Sequence, residues 1–398
     1  MPCGFESRPR YLIWYSGWMT LQRIVRRLQN AFSAAMPLIT VSISKENLLH
    51  NLHAYQERYP QLQFAPVLKS NAYGHGLCLI ARQLDGERIA FFMVDSLYEA
   101  RTLRQGGVGS RILVLGYVRP SDMAANKFGK IDFSIVDIEQ LRELATIARK
   151  PVRLHLKIDT GMHRQGILLQ ELDEAIALVQ SNPYLTVVGA CSHFADADVA
   201  DSPHVQAQIT IWRSALEKVM QAFSTIEYAH IAATKGVAYS AAVQANVGRI
   251  GIGLYGFDTS PDGATPLKPV LEMRSLITSL RTIPEGDFVG YNATYAASRL
   301  STIATIPVGY FEGIDRNLSS KGALLVHSTP APIAGRVSMN MSSLDVTEIP
   351  TVRRGDEVIV ISRNPEDPNS VESMARLSGT TPYVILVHIP QHLKRVVE

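Results

Sequence analysis

The chain has 398 residues, 46% of them hydrophobic, and a formal net charge of +3 at neutral pH. That length exceeds one small core and points to two domains, and the small charge leaves no electrostatic footprint for nucleic acid or an anionic membrane. Three cysteines (Cys3, Cys78, Cys191) make an odd count without metal-ligand spacing, which fits free thiols in a reducing, cytoplasmic compartment, and no apolar run approaches the roughly 20 residues of a membrane span.

Residues 1–35 differ in texture from the rest. Arg8, Arg10, Arg23, Arg26 and Arg27 stand against one acid, Glu6, and Leu21, Ile24, Val25, Leu28 and Phe32 fall at the spacing of one face of a short basic helix. A secretory signal needs a compact apolar region that is missing here. The expectation is a dispensable extension ahead of Met36, where a strand-like run begins, with an organelle transit peptide as the competing reading.

From residue 64 onward, strand-like runs alternate with helical periodicity. The strands fall at residues 64–68, 89–94, 111–115, 131–136, 152–158, 186–192, 228–233 and 247–254. Eight strands with intervening helices predict a parallel (β/α)8 TIM-like barrel over residues 36–265, because parallel strands need crossovers and an eightfold alternation closes on itself. The rival is an open doubly wound sheet, but no G-x-G-x-x-G follows the first strand. After Thr265, prolines mark a junction and periodicity gives way to short runs at 271–280, 299–306, 322–326, 332–337, 343–346 and 357–361. Residues 266–398 therefore read as a mainly antiparallel β-domain.

Polar residues with chemical potential recur at the strand ends. Lys69 follows the first strand, Lys157 and Asp159 end the fifth, His193 follows the sixth, Thr234 follows the seventh and Arg249 lies in the eighth. Each alone has an ordinary explanation, such as a core histidine or half of a surface ion pair. In a barrel, however, all these positions converge on one mouth. An ammonium at the edge of a packed core is costly, and burial favours the neutral, nucleophilic amine that a Schiff-base lysine needs. Gly74-His75-Gly76 reads as a turn whose backbone comes close to a ligand.

The segments LKSNAYGHG, LKIDTGMHRQG, SHFADAD, HIAAT, GRIGIGLYG, GYNATY, PVGYFEGIDR and GRVSMNM, in that order from Met36 to the end, resemble the alanine racemases. The resemblance implies a cytoplasmic homodimer with shared active sites that uses pyridoxal 5'-phosphate and no metal to interconvert L- and D-alanine, supplying D-alanine for peptidoglycan. Lys69 matches the cofactor lysine and the base for the D-enantiomer, and Tyr291 the opposing base for the L-enantiomer. A phenol is a weak base at neutral pH and needs help, which the family pattern draws from His193 and Arg249. Arg249 also matches the partner of the cofactor's ring nitrogen. Tyr73, Thr234 and the N–H groups of Gly251 and Ile252 match phosphate ligands.

Arg164 matches the arginine that contacts the cofactor's phenolic oxygen and the substrate carboxylate, and Lys157 a lysine that is often carbamylated. Tyr310 and the Met339 backbone complete the substrate pocket, and Asp198, Arg316 and Arg336 match an access channel. Two positions depart from the pattern. Asn340 stands where many relatives have aspartate, and a C-terminal phosphate-binding tyrosine aligns with Gln391. The alternatives are a racemase acting on serine or larger amino acids, a decarboxylase of the same fold, and a non-enzymatic cofactor carrier built from the barrel alone.

Overall fold

The computed structural model describes residues 37–197, 199, 202–257 and 265–398. The basic extension and Asp198 lie outside the described residues. The chain divides into two compact units, Met1–Leu38 and Ile39–Glu398, and the second contains all the elements below.

Strand β1 (Thr40–Ile43) leads into helix Lys45–Arg58, whose first turn is capped by the Ser44 hydroxyl accepting the Asn47 N–H at 3.2 Å. Eight strands follow: β2 (Gln63–Pro66), β3 (Phe92–Val94), β4 (Ile112–Val114), β5 (Ile131–Ile135), β6 (Val152–Lys157), β7 (Leu185–Cys191), β8 (Tyr228–His230) and β9 (Val247–Ile250). Neighbours from β3 to β8 pair in parallel, as do β2 and β9. The ring closes through single bonds. Ala90 donates to Phe64 O and Leu68 to Met93 O between β2 and β3, and Arg249 donates to Ala232 O between β9 and the residues after β8. All eight expected strands are present. Helices cover the barrel's outer face while side chains fill its interior, so short strands such as Phe92-Met93-Val94 are buried throughout.

The barrel interior also carries charge. Asp132, fully enclosed, accepts from Arg111 at 2.8 Å and Arg153 at 3.1 Å, while the buried rings of His155 and His230 meet at 2.9 Å. Gly189 makes room for this pair, since a Cβ there would lie 2.4 Å from His155 Nδ1.

The remaining strands are β10 (Leu271–Leu276), β11 (Ser279–Ile283), β12 (Phe288–Val289), β13 (Tyr295–Ala296), β14 (Ser301–Ile306), β15 (Ala323–Val326), β16 (Thr329–Pro332), β17 (Ser342–Asp345), β18 (Glu357–Ile361) and β19 (Lys394–Val397). They form a six-stranded sheet in the order β16-β15-β18-β10-β1-β19, a three-stranded sheet β11-β14-β17 and the small hairpin β12-β13. All these pairs are antiparallel except β1 with β19. Thr40–Ile43, expected within the barrel segment, is thus a central strand of the β-domain sheet. Of the expected run 332–337 only Pro332 lies in a strand, Thr329–Pro332, and Ile333 makes only an isolated bridge to Leu344. Two helices, Val371–Ser378 and Pro382–Val387, occupy the stretch after residue 361, where the sequence predicts no strand.

Candidate functional site

The barrel mouth holds a cavity of about 830 Å³. The strand ends deliver to it Lys69, Lys157, His193, Thr234 and Arg249, together with Tyr73, Arg164, Gly251 and Ile252. The scattered strand-end residues are therefore neighbours, as barrel geometry requires.

Lys69 is half-buried and starts a short helical turn, Lys69–Tyr73. From Ser70 to Tyr73 this turn is left-handed, with φ of 56, 57, 53 and 51°. Such a conformation costs roughly 1–2 kcal/mol per residue for L-amino acids. It sends the Lys69 and Tyr73 side chains into the same cavity. Gly74 and Gly76, expected near a ligand, instead make room for the C-terminal segment. A Cβ on Gly74 would fall 2.0 Å from Leu386 O, and one on Gly76 would fall 3.1 Å from Arg395 Cδ. His75 is fully buried, stacks on Tyr255 at 4.3 Å and keeps a pKa of about 4, lowered by burial against two backbone hydrogen bonds.

Tyr73 is buried, and that burial, with Tyr383 nearby, raises its pKa while Arg249 lowers it, so it enters the cavity as a neutral hydroxyl. Its oxygen sits over Gly251, where an added Cβ would approach to 2.7 Å. Thr234 Oγ1 accepts the N–H groups of Gly251 and Gly253 at 3.1 and 3.4 Å, and Ile252 heads the 3-10 turn Ile252–Tyr255. Two hydroxyls and the N–H-rich start of a turn, without a carboxylate among them, suit a phosphate dianion. These residues fit the phosphate of the expected cofactor.

Arg249 is 6% exposed and makes no ion pair with a carboxylate among the described residues. Burial lowers its pKa to about 10, which leaves it cationic at neutral pH. It donates to the carbonyls of Ile231 and Ala232, and Nη2 donates to His193 Nδ1 at 2.8 Å. A guanidinium can only donate, so Nδ1 accepts and the ring proton belongs on Nε2. Burial, then Arg249, pulls the His193 pKa down to about 2, so the ring stays neutral. Lys157 Nζ donates to Gln165 Oε1 at 3.0 Å. Burial lowers its pKa, the cations Arg164, Arg249 and Lys69 push the same way, and Cys191 opposes them.

The other predicted residues lie elsewhere. Tyr291, Tyr310 and Met339 do not line this cavity and are 67%, 43% and 56% exposed. Their segments are neighbours in the β-domain. Tyr310 N–H donates to Ser338 O at 3.0 Å and Phe311 N–H to Met339 O at 2.9 Å, while Gly335 lies against Val289 O near the Tyr291 loop. Arg316 is exposed and Arg336 half-buried, and neither lines the cavity. Asn340 donates to Glu312 Oε1 at 2.7 Å, which sets a buried carboxylate beside position 340. The Gln391 alignment is corrected: Gln391 lies outside the cavity, whereas Tyr383 lines it with its ring 6.0 Å from that of Tyr73. The sequence signal was Pro382-Tyr383 at the start of an apolar helical run, in a stretch where no element was expected.

A (β/α)8 barrel with a lysine-bearing mouth, joined to an antiparallel β-domain that carries exposed tyrosines, defines an enzyme architecture. Comparison with known proteins identifies it further. Residues 43–259 match the family description "Alanine racemase, N-terminal domain" and residues 270–397 match "Alanine racemase, C-terminal domain". The chain is 36% identical over 355 residues to an alanine racemase of Syntrophobacter fumaroxidans, covering 88% of this chain and 94% of that one. It is 34% identical over 367 residues to one of Sorangium cellulosum, covering 89% and 97%. Among solved structures, alanine racemase from a D-cycloserine-producing Streptomyces lavendulae superposes with a TM-score of 0.82 at 27% identity, over 92% of this chain and 98% of that one. The biosynthetic alanine racemase of Pseudomonas aeruginosa superposes with a TM-score of 0.79 at 30% identity, over 91% and 100%. The chain belongs to the alanine racemase family, a family of isomerases. No described helix is long and apolar enough to cross a membrane.

Proposed function

We propose that this protein is a pyridoxal 5'-phosphate-dependent racemase that interconverts L- and D-alanine by a two-base mechanism and supplies D-alanine for peptidoglycan. The observation that carries the reading is the convergence, in one cavity, of Lys69, the Tyr73–Thr234–Gly251 cradle and the Arg249–His193 pair. When bound, the cofactor supplies the electron sink that lets an amino acid lose its α-proton. Lys69 holds the cofactor and, once freed, moves the proton on one face. Tyr73, Tyr383, Thr234 and the amides of Gly251 and Ile252 fix the phosphate. Arg249 offers the ring nitrogen a donor that keeps its own proton, so that nitrogen stays unprotonated; proton return is then favoured over decarboxylation or transamination.

Tyr291 moves the proton on the opposite face. Its exposure in its own chain, with that of Tyr310 and Met339, supports a homodimer in which one subunit's β-domain completes the partner's barrel mouth. There, His193 Nε2–H is the donor available to a phenolate, with Arg249 fixing the ring from behind. Arg164 and the Met339 N–H bind the substrate carboxylate, and Arg316, Arg336 and Asp198 line its access channel. The neutral Lys157 amine can add carbon dioxide and release a proton to give a carbamate anion, which the three surrounding cations favour and which would steady Arg164. Free thiols at Cys78 and Cys191 support a cytoplasmic location. The β-domain, matched over residues 270–397, is at odds with a carrier made of a barrel alone.

The test is to incubate purified, cofactor-loaded protein with L-alanine and, separately, L-serine, and to separate the enantiomers. D-alanine should form faster than D-serine, and borohydride should fix the cofactor on the peptide that contains Lys69. No D-alanine, or label on another lysine, would reject the proposal.

A further inference from the structure

Ser70, Asn71, Ala72 and Tyr73 form a left-handed run of four residues, none of them glycine. Each would favour another conformation in a free peptide, so the surrounding structure must impose this one. Two charged side chains from distant elements grip its ends. At the start, Glu99 Oε1 accepts the Ser70 N–H at 2.8 Å, while Oε2 accepts the N–H groups of Asp95 and Ser96 at 2.8 and 3.3 Å. Glu99 is also half of a capping box with Ser96 on helix Leu97–Gln105, which anchors the carboxylate.

At the far end, Arg395 Nε and Nη2 both donate to the Gly74 carbonyl, at 2.9 and 2.7 Å. Its other donations go to the carbonyls of Ile389, Pro390, Gln391 and Leu393. Arg395 makes no ion pair with a carboxylate among the described residues; its hydrogen bonds tie the Lys69 turn to the segment just after helix Pro382–Val387. Between the two grips, Asn71 Oδ1 accepts the Leu77 N–H at 2.9 Å.

We propose that Glu99 and Arg395 are positioning residues that hold the Lys69–Gly74 turn left-handed, so that the Lys69 amine and the Tyr73 hydroxyl reach one cofactor together. This rests on the reading of Lys69 as the cofactor lysine and Tyr73 as a phosphate ligand. Releasing either grip lets the turn relax toward a right-handed or extended path, which separates the two anchors.

Ser96→Ala is the matched control for Glu99→Ala. It removes the other half of the capping box, in which the Glu99 N–H donates to Ser96 Oγ at 3.2 Å, and leaves the Glu99–Ser70 bond in place. Pyridoxal phosphate affinity, the rate at which the cofactor becomes borohydride-fixable on Lys69, and hydrogen exchange of the peptide spanning residues 69–76 are measured for each. Glu99→Ala should bind the cofactor roughly tenfold more weakly, attach it more slowly and exchange faster in that peptide, as expected for one lost hydrogen bond to a charged group. Ser96→Ala should resemble wild type in all three although it removes its own half of the capping box. Arg395→Lys, which keeps the charge but not the fork, should shift all three in the same direction. If Glu99→Ala does not fold, Glu99→Gln, with one acceptor oxygen left, should fall between wild type and the alanine effect. The proposal is overturned if Glu99→Gln and Arg395→Lys change these readouts no more than Ser96→Ala does. Label on another lysine in the wild type would reject the functional reading instead, and the exchange arm alone would then decide whether the grips hold the turn.

Discussion

Gly251→Ala probes the phosphate cradle with a single methyl group. The added Cβ would lie 2.7 Å from Tyr73 Oη and 3.4 Å from Cζ, and ordinary contact begins at 3.4 Å. The hydroxyl must therefore retreat by about 0.7 Å, enough to lose a hydrogen bond, and the ring has to swing with it because Oη is fixed on Cζ. A hydrogen bond to a charged phosphate contributes about 1.5–3 kcal/mol, so affinity for pyridoxal phosphate should fall about 10- to 150-fold. Affinity for pyridoxal, which lacks the phosphate, should hardly change. Tyr73→Phe should cost about as much by itself. In the double variant the oxygen that clashed is gone, so the two effects should not add, and the coupling energy should approach the full single effect. Titrating the cofactor-free protein with each ligand by absorbance or fluorescence measures all four corners of the cycle. Additive losses, or an equal loss for pyridoxal, would refute the arrangement of Tyr73 over Gly251.

Three further outcomes follow from other parts of the structure. His193 and His75 are held neutral, with pKa values near 2 and 4, whereas in the unfolded chain they titrate near 6.5; the unfolded state therefore binds more protons as pH falls, and stability should drop from pH 6.5 downward, by on the order of 4 kcal/mol at pH 5 for the pair. Urea unfolding at pH 7 and pH 5 checks this, and equal stabilities would contradict it. Asn340→Asp sets a carboxylate against Glu312, whose other oxygen accepts the Gly309 N–H at 2.8 Å, and should raise KM for alanine roughly tenfold; Glu312→Gln in the same chain should restore it, and failure of that rescue would rule out the pairing. Mixed Lys69→Ala and Tyr291→Phe subunits should recover about a quarter of wild-type activity once exchanged, because half the dimers then hold one intact site of two; verified exchange without recovery rejects a shared site.

The barrel was legible because its strands are buried on both faces and so appear as apolar runs, and because its chemistry lies at strand ends that only closure brings together. Lys69, His193 and Arg249 are visible for that reason. The left-handed turn after Lys69 was not legible. Of its four residues only Asn71 tolerates that conformation well, and the grips reach it only through tertiary folding: Glu99 is 29 residues from its contact Ser70, and Arg395 is 321 residues from its contact Gly74. Ser96-x-x-Glu99 was readable as a capping box, but the second use of its carboxylate was not. Tyr383 was missed for a local reason: no element was expected after residue 361, whereas Gly379 ends one helix and Pro382 starts the next, the one that carries Tyr383 to the cavity.

The topology bears on the proposed sharing of one site between two subunits. The barrel, β2 to β9, is inserted between β1 and β10, which pair antiparallel in the same sheet, with Thr40 opposite Arg274 and Ile43 opposite Leu271. The chain therefore enters and leaves the barrel through neighbouring strands of the β-domain, and β19 closes on β1 from the other side. A single flexible linker would let the β-domain swing over its own barrel mouth. Two hydrogen-bonded strands with buried side chains at Val41, Ile43, Leu271 and Met273 resist that motion, because any rotation must break the ladder or open the core beneath it. Arg395, reaching from β19 to the Gly74 carbonyl, adds a third tie beside the cofactor turn itself. The same ties that fix the Lys69 turn thus keep Tyr291 outside the cavity of its own chain, and in the proposed two-base reading the second base would come from another copy of the chain.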